Sequence, residues 1–299
     1  MKFPLLVTAL LAAMPALAAS APAQMVITVQ SGPRGGAPAR LEASDVTVVQ
    51  DKTSLPVTGL ERLTGDLADM ELFVLLDDST RSSSLSVHLP ELKSFLESLP
   101  ATTQVAVGYM RNGTFLLAQA FTADHHKAAD SLRLPEGTPG ENGSPYFAIS
   151  DLAKHWPSKQ ATGRRAALVL TDGVDRYYDT STEDDPYVDA AIQDSLKNKV
   201  AVYSIYLRGA GLYGRAGMVQ NFSQSRLMAV GEQTGGFAYF EGFTDPVDIA
   251  PFLTDFHKRL DNQYKVTFQA LNQRGVQPVK LRTEAPGVKI EGPSRIYVP

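Results

Sequence analysis

The sequence contains no cysteine. This absence excludes disulfide bonds, thiolate zinc sites, iron–sulfur clusters and a cysteine nucleophile. Basic residues are too few for a nucleic-acid-binding surface, because 28 Lys and Arg stand against 32 Asp and Glu and give a formal net charge of −4. Hydrophobic residues make up 43% of the 299 residues. This share indicates a globular chain with a substantial core and excludes a disordered one.

After the first segment, the sequence also has no long apolar run. Lys2 is followed by an apolar stretch from Phe3 to Leu17, and Ala16-Leu17-Ala18 provides small residues for cleavage. The stretch is short for a membrane span. We therefore predict a signal peptide over residues 1–18, with cleavage at residue 21 as the second choice. The mature protein is expected to be periplasmic or extracellular and to have no membrane span.

The remaining chain divides into three parts by its pattern. Residues 22–66 and 261–299 alternate polar and apolar residues between turns, which predicts small antiparallel β segments before and after a central region. Residues 67–260 contain continuous apolar runs, such as Glu71 to Leu76, followed by helical spacing, as from Leu85 to Leu99. This alternation predicts a doubly wound α/β fold with a mostly parallel sheet.

Local signals mark several element boundaries within the central region. Asn112-Gly113 lies between two strand-like segments and predicts a tight hairpin. Asp185-Pro186 has the N-cap and first-turn proline that begin a helix. Further helices are expected from Phe222 to Gln233 and from Pro246 to Leu260.

Carboxylates follow two of the predicted strands directly. Asp77 and Asp78 come after the run that ends at Leu76, and Asp172 comes after the run from Arg164 to Leu170. Ligands of open α/β sheets bind outside the carboxyl ends of the strands. We therefore expect these carboxylates to converge at one edge of the sheet.

These residues carry a resemblance to a known family. A strand followed by Asp-x-Ser, a loop and helix over 143–149, and a strand followed by Thr171-Asp172-Gly173 resemble a von Willebrand factor type A (VWA) domain over about residues 70–260. The whole mature chain is similar to secreted bacterial proteins with a VWFA-related domain, including its Asn-Gln-Tyr strand region over 261–266. The resemblance implies a Rossmann-like α/β sheet and a metal-ion-dependent adhesion site.

The family's metal ligands can be transferred to this sequence in two registers. Mg²⁺ prefers oxygen ligands in near-octahedral geometry. In the first register the resemblance implies ligation by Asp77, Ser79, Ser144 and Asp172. An alternative register begins one residue later and keeps three oxygens, those of Asp78, Thr80 and Ser82.

One substitution makes the predicted metal site degenerate. Arg81 stands where the first register needs its second serine, and a guanidinium has no lone pair for a metal. A bound Mg²⁺ or other divalent cation stays one alternative. The sequence favours the other, a relic site in which Arg81 or water pairs with Asp77 and Asp172.

The resemblance implies a protein-binding function without catalysis. We predict a secreted, adhesion- or scaffold-type module that binds an unknown protein through Arg81, Asp175, Tyr177 and Tyr178. A structural envelope protein with a vestigial site is the first alternative. A hydrolase that uses the strand-end carboxylates is the second, and it lacks an evident base near either motif.

Overall fold

The computed structural model describes residues 20–31, 41–138, 143–158, 163–178, 182, 184–208, 216–271 and 273–299. The predicted signal peptide, residues 1–18, lies outside these ranges. Within them, no helix has both the length and the apolar character needed to cross a membrane.

The described chain forms thirteen strands and seven α-helices. The strands are β1 Ser20–Ser31, β2 Val46–Gln50, β3 Thr53–Arg62, β4 Met70–Asp77, β5 Thr103–Arg111, β6 Thr114–Thr122, β7 Arg164–Thr171, β8 Val200–Tyr206, β9 Ala238–Tyr239, β10 Gln263–Leu271, β11 Gly275–Thr283, β12 Val288–Glu291 and β13 Arg295–Val298. The helices are α1 Ser82–Ser86, α2 Leu89–Glu97, α3 His125–Asp130, α4 Pro145–Lys154, α5 Pro186–Lys197, α6 Ala216–Thr234 and α7 Ala250–Asp261.

The central region is a doubly wound α/β sheet, as predicted. Its six strands lie in the order β6-β5-β4-β7-β8-β9, and all pairs are parallel except β5 with β6. Helices α2, α3 and α7 cover one face, and α4, α5 and α6 cover the other. Every residue of β4 is therefore buried, which explains its continuous apolar run.

The two predicted β segments are both present, and the structure joins them into one sheet. This second sheet has seven strands in the order β12-β1-β10-β3-β2-β11-β13. Its longest pairing is between β1 and β10, which run antiparallel with Ile27 opposite Tyr264. Ile27, Val266 and Phe268 belong to a hydrophobic core of its own. Strands from the two ends of the described chain thus form a single sheet.

Hairpin and helix signals agree with the structure at two positions and differ at three. Asn112 and Gly113 have φ of 53° and 72°, as the tight hairpin requires. Asp185 caps α5 by accepting a hydrogen bond from the N–H of Tyr187 at 2.9 Å.

The helix expected from Leu85 to Leu99 is instead two helices, α1 and α2, which are separated at Val87 and His88. Helix α6 begins earlier than expected, at Ala216, and α7 begins later, at Ala250. The side chain of Asp248 accepts a hydrogen bond from the N–H of Ala250 at 2.7 Å, which satisfies one of the N–H groups that the first turn of α7 leaves free.

Candidate functional site

The pairing of β4 with β7 positions the centre of the site. The two strands are parallel neighbours with Leu76 opposite Leu170, so Asp77 and Thr171 leave the sheet side by side. The hydroxyl of Thr171 donates a hydrogen bond to Oδ2 of Asp77 at 2.8 Å. The two predicted acidic loops therefore meet at the carboxyl ends of these strands.

Asp77 is buried, and both of its carboxylate oxygens accept hydrogen bonds. Its Oδ1 accepts from the N–H of Ser79 at 2.9 Å and from the Ser79 hydroxyl at 2.7 Å. Burial raises the pKa of Asp77, and the nearby negative charge of Asp172 raises it further. The hydrogen bonds from Ser79 and Thr171 oppose this shift without reversing it.

Asp172 forms an ion pair with an arginine from its own loop. Nη2 of Arg176 lies 2.6 Å from Oδ2 of Asp172, and Nη1 lies 3.3 Å from Oδ1. The N–H of Val174 also donates to Oδ1 at 2.9 Å. Burial lowers the pKa of the Arg176 guanidinium, but the charge and hydrogen bonds of Asp172 and the charges of Asp77 and Asp175 together outweigh burial and raise that pKa. Arg176 is thus a fixed cation, and 13% of its side chain is exposed.

Ser144 connects the loop after β7 to helix α4. Its oxygen accepts a hydrogen bond from the N–H of Phe147 at 3.2 Å and so caps α4. Its hydroxyl donates to Oδ2 of Asp175 at 2.7 Å, and Oδ1 of Asp175 accepts from the N–H of Tyr177 at 2.8 Å. Asp175, predicted to contact a partner, is buried, and burial raises the pKa of its carboxyl group. It therefore holds the loop rather than facing solvent.

Asp78 turns away from Asp77 toward two arginines. It accepts hydrogen bonds from Arg111, from Nη1 of Arg133 at 2.8 Å and from the N–H of Glu136 at 2.9 Å. Burial alone raises the pKa of Asp78, but these hydrogen bonds and the charge of Arg133 lower it below its usual value. Asp78 is therefore a carboxylate with two cationic partners.

The alternative metal register is not assembled around one point. The hydroxyl of Thr80 donates to the backbone oxygen of Asp77 at 2.9 Å. The Ser82 hydroxyl donates to the backbone oxygen of Pro135 at 3.3 Å. Asp78 itself is bound by arginines. The side-chain oxygens of the three residues of this register are therefore directed to different partners.

Arg81 is not the cation of the site. It is exposed and lies at the N-cap position before α1. Among the described residues, Asp77 accepts from Ser79 and Thr171, and Asp172 pairs with Arg176. The cation that pairs with Asp172 is therefore Arg176 and not the expected Arg81, because the loop after β7 carries its own guanidinium.

The donor set of the first register does not fit a divalent cation. In this arrangement Asp77 and Asp172 each accept hydrogen bonds at both carboxylate oxygens, and the Ser144 hydroxyl is directed to Asp175. A guanidinium beside Asp172 also repels any second cation.

A cavity opens at this end of the sheet. Its volume is about 280 Å³. It is bounded by the end of β4, the β5–β6 turn, the loop after α3 and the start of α4. The described lining residues are Asp77, Asp78, Ser79, Met110, Arg111, Asn112, Gly113, Glu136, Gly137, Thr138, Gly143, Ser144 and Pro145. Asp77, Ser79 and Ser144 of the first register thus line the cavity, as does Asp78 of the alternative register, while Asp172 is not among its described lining.

Four aromatic side chains form a group next to this cavity, three of them exposed and Tyr187 partly buried. We call Phe147, Tyr177, Tyr178 and Tyr187 the aromatic shelf. The ring of Phe147 lies 5.7 Å from that of Tyr177 and 4.2 Å from that of Tyr187, and the rings of Tyr178 and Tyr187 are 5.9 Å apart. Asn112 and Gly113 line both the cavity and a groove beside the shelf.

The layout of the α/β region matches the resemblance found in the sequence. A parallel sheet has one antiparallel edge strand, helices on both faces and acidic loops after two adjacent central strands. The fold is VWA-like.

Comparison with known proteins returns solved structures at low sequence identity. An aerotolerance-related membrane protein from Bacteroides fragilis is 15% identical, with 64% of this chain and 98% of that chain covered at a TM-score of 0.44. BatB from Bacteroides thetaiotaomicron is 16% identical, with 63% and 96% covered at 0.42. The SpRpn10 VWA domain is 10% identical, with 62% and 94% covered at 0.40. No family model and no curated protein matches the sequence.

Several residues of the VWA-like site carry no strong sequence signal. Arg176 lies four residues after Asp172. The opposite charges of these two residues within one short loop are the only feature of the sequence that indicates their pairing. Arg111 and Arg133 are 33 and 55 residues from Asp78 in the chain. Only the folded β5 and the loop after α3 bring them to that carboxylate.

Proposed function

We propose that this chain is an exported, non-enzymatic protein-interaction module whose partner binds at the carboxyl-end face of the VWA-like domain. The observation that carries the proposal is the aromatic shelf, which adjoins the cavity through Asn112 and Gly113. Tyr177 and Tyr178 are 43% and 37% exposed. Exposed tyrosines of this kind are enriched in protein interfaces.

The shelf is suited to binding because its rings support one another. Phe147 contacts both Tyr177 and Tyr187, and Tyr178 contacts Tyr187. Rings that are already held in place lose little conformational freedom when a partner binds. The hydrogen bond from the Tyr177 N–H to Asp175 fixes the backbone of this loop as well. Arg81, exposed after β4, adds a charged group at the same end of the sheet.

The proposed site is a degenerate adhesion site that binds a partner and catalyses no reaction. Asp77 accepts hydrogen bonds from Ser79 and Thr171, and these described partners include no base. Hydrolysis needs a nucleophile and a base in mutual contact. Export rests on the signal-like segment over residues 1–18. A partner is expected to make polar and aromatic contacts with the loops rather than complete a metal's coordination.

The test compares two surfaces of equal chemistry. The purified chain is immobilised and exposed to the exported fraction of its source, and captured proteins are identified. The double variant Tyr177→Ala, Tyr178→Ala is expected to lose a captured protein that wild type retains. The control is Tyr297→Ala, since Tyr297 is 36% exposed on β13 of the other sheet. Equal capture by all three proteins contradicts binding at the shelf.

A structural envelope protein with a vestigial site is the second candidate. It is favoured by the internal pairing of the strand-end carboxylates: Asp78 with two arginines, Asp172 with Arg176, and Asp175 with Ser144. This candidate predicts that Asp172→Asn lowers stability and leaves every captured protein unchanged. The shelf variants are then also expected to capture the same proteins as wild type.

A further inference from the structure

The loop after β7 contains both a predicted metal ligand and a cation that pairs with it. Asp172 and Arg176 meet through two nitrogen–oxygen contacts, at 2.6 Å and 3.3 Å. Nη1 of Arg176 also donates to the backbone oxygen of Val174 at 3.3 Å. The guanidinium is thus held by the same short loop that carries the carboxylate, and two planar groups with matched geometry form a strong pair.

Charge balance at the site depends on this guanidinium. Asp77 and Asp172 are 5% and 1% exposed, and they lie at the carboxyl ends of the neighbouring parallel strands β4 and β7. Two buried carboxylates need a compensating positive charge. Arg176 supplies such a charge directly, since its guanidinium contacts both carboxylate oxygens of Asp172.

We infer that the guanidinium of Arg176 replaces the divalent cation of a VWA-like adhesion site, so that this face folds and functions without a metal. The first register needs Asp172 to face a divalent cation, and the guanidinium of Arg176 instead lies against both oxygens of that carboxylate. A second cation beside it is opposed by charge repulsion. The inference rests on contacts within the loop and not on a partner, so its test and the binding test fail independently.

The primary experiment is thermal melting of the wild-type chain. Samples contain EDTA, millimolar Mg²⁺ or millimolar Mn²⁺, because a ligand that binds only the native state raises Tm by mass action. We expect one Tm in all three conditions. Asp172→Asn is melted in parallel to locate any response. A rise in Tm that wild type shows and Asp172→Asn loses overturns the inference, whereas a rise that both show assigns the ion to another place and agrees with it.

Two arginine variants separate the roles of Arg176 and Arg81. Arg81→Ser restores the serine of the family's pattern but leaves the guanidinium of Arg176 in place. We expect its Tm to match wild type and to show no metal response. Arg176→Ser removes the internal cation and leaves Asp77 and Asp172 uncompensated. We expect its Tm in EDTA to fall below that of wild type and to recover by several degrees in Mg²⁺ or Mn²⁺.

The variants give clear contrary results. A metal response in Arg81→Ser overturns the inference, since Arg176 is still present there. An Arg176→Ser protein that melts like wild type in EDTA also overturns it, because the guanidinium is then not needed for charge balance. Failure of Arg176→Ser to fold without metal agrees with the expected loss of a buried counter-charge. The wild-type and Arg81→Ser melts still test the inference in that case.

Discussion

Arg259 of α7 donates a hydrogen bond to Glu291 of β12, with Nη1 and Oε2 2.6 Å apart. This contact joins the VWA-like domain to the antiparallel sheet. Arg259 is 8% exposed, and its guanidinium lies 3.9 Å from the centroid of the Phe237 ring. A second contact of this kind runs from Arg164 of β7 to Gln263 of β10, at 2.8 Å. The two sheets are therefore coupled by partly buried polar contacts.

Loss of the Glu291 carboxylate is expected to weaken this junction. We expect Glu291→Gln to lower the free energy of unfolding by about 1.5–3 kcal/mol, the range for hydrogen bonds to charged groups. Urea denaturation followed by circular dichroism measures the change. The matched control is Lys289→Gln, since Lys289 also bonds Glu291 but is 67% exposed. An exposed pair of this kind contributes at most about 1 kcal/mol. Equal losses in both variants contradict a role for Arg259.

The same carboxylate is expected to make stability depend on pH. Burial raises the pKa of Glu291, but hydrogen bonds from Lys289 and Arg259 and the charge of Arg259 outweigh burial and lower it below 4.5. The unfolded chain therefore binds the proton more tightly than the folded chain. The stabilisation is fully present above pH 4.5, the usual pKa, and is lost as pH falls through the lower folded value. Urea melts at several pH values should show the difference between wild type and Glu291→Gln shrinking below pH 4.5. A constant difference argues against the lowered pKa.

Ser144 is expected to act as a helix cap with a second hydrogen bond. Ser144→Ala removes the acceptor for the Phe147 N–H and the donor to Asp175. We expect a loss of about 1–2 kcal/mol, at the upper end for an N-cap. Ser144→Thr keeps the hydroxyl and is expected to stay close to wild type. Urea denaturation of both variants distinguishes loss of the hydroxyl from a change of side-chain volume. A destabilised Ser144→Thr protein points to volume instead.

Two glycines are expected to respond to alanine in opposite ways. A Cβ on Gly236 would lie 1.9 Å from the backbone oxygen of Val202, whereas a Cβ on Gly217 in α6 meets nothing within 4 Å. Gly236→Ala must therefore move β8 or its neighbour, and we expect a loss of at least about 2–3 kcal/mol. Gly217→Ala is expected to raise stability by about 0.5–1 kcal/mol through lower backbone entropy in the unfolded chain. Thermal melting compares the two, and similar shifts contradict the close approach at Gly236.

Much of the α/β fold could be predicted because its signals are local. The apolar run of β4 indicated a strand covered on both faces, and all its residues are buried. The Asn112-Gly113 turn needs positive φ, which this pair tolerates better than most residues. The loops that carry Asp77 and Asp172 could be placed at one edge because parallel strands bring their carboxyl ends together.

Composition, periodicity and turn chemistry therefore specify the parallel sheet, its helices and the acidic loops after β4 and β7. Pairing between distant segments depends on tertiary packing, which no local pattern encodes. It joins β1 to β10 and directs Asp78 to Arg111 and Arg133. It also leaves Arg81 in solvent while Arg176 neutralises Asp172. The sequence alone determines the charge of each side chain. The tertiary structure determines which opposite charge it pairs with, because the energy of an ion pair depends on distance and burial.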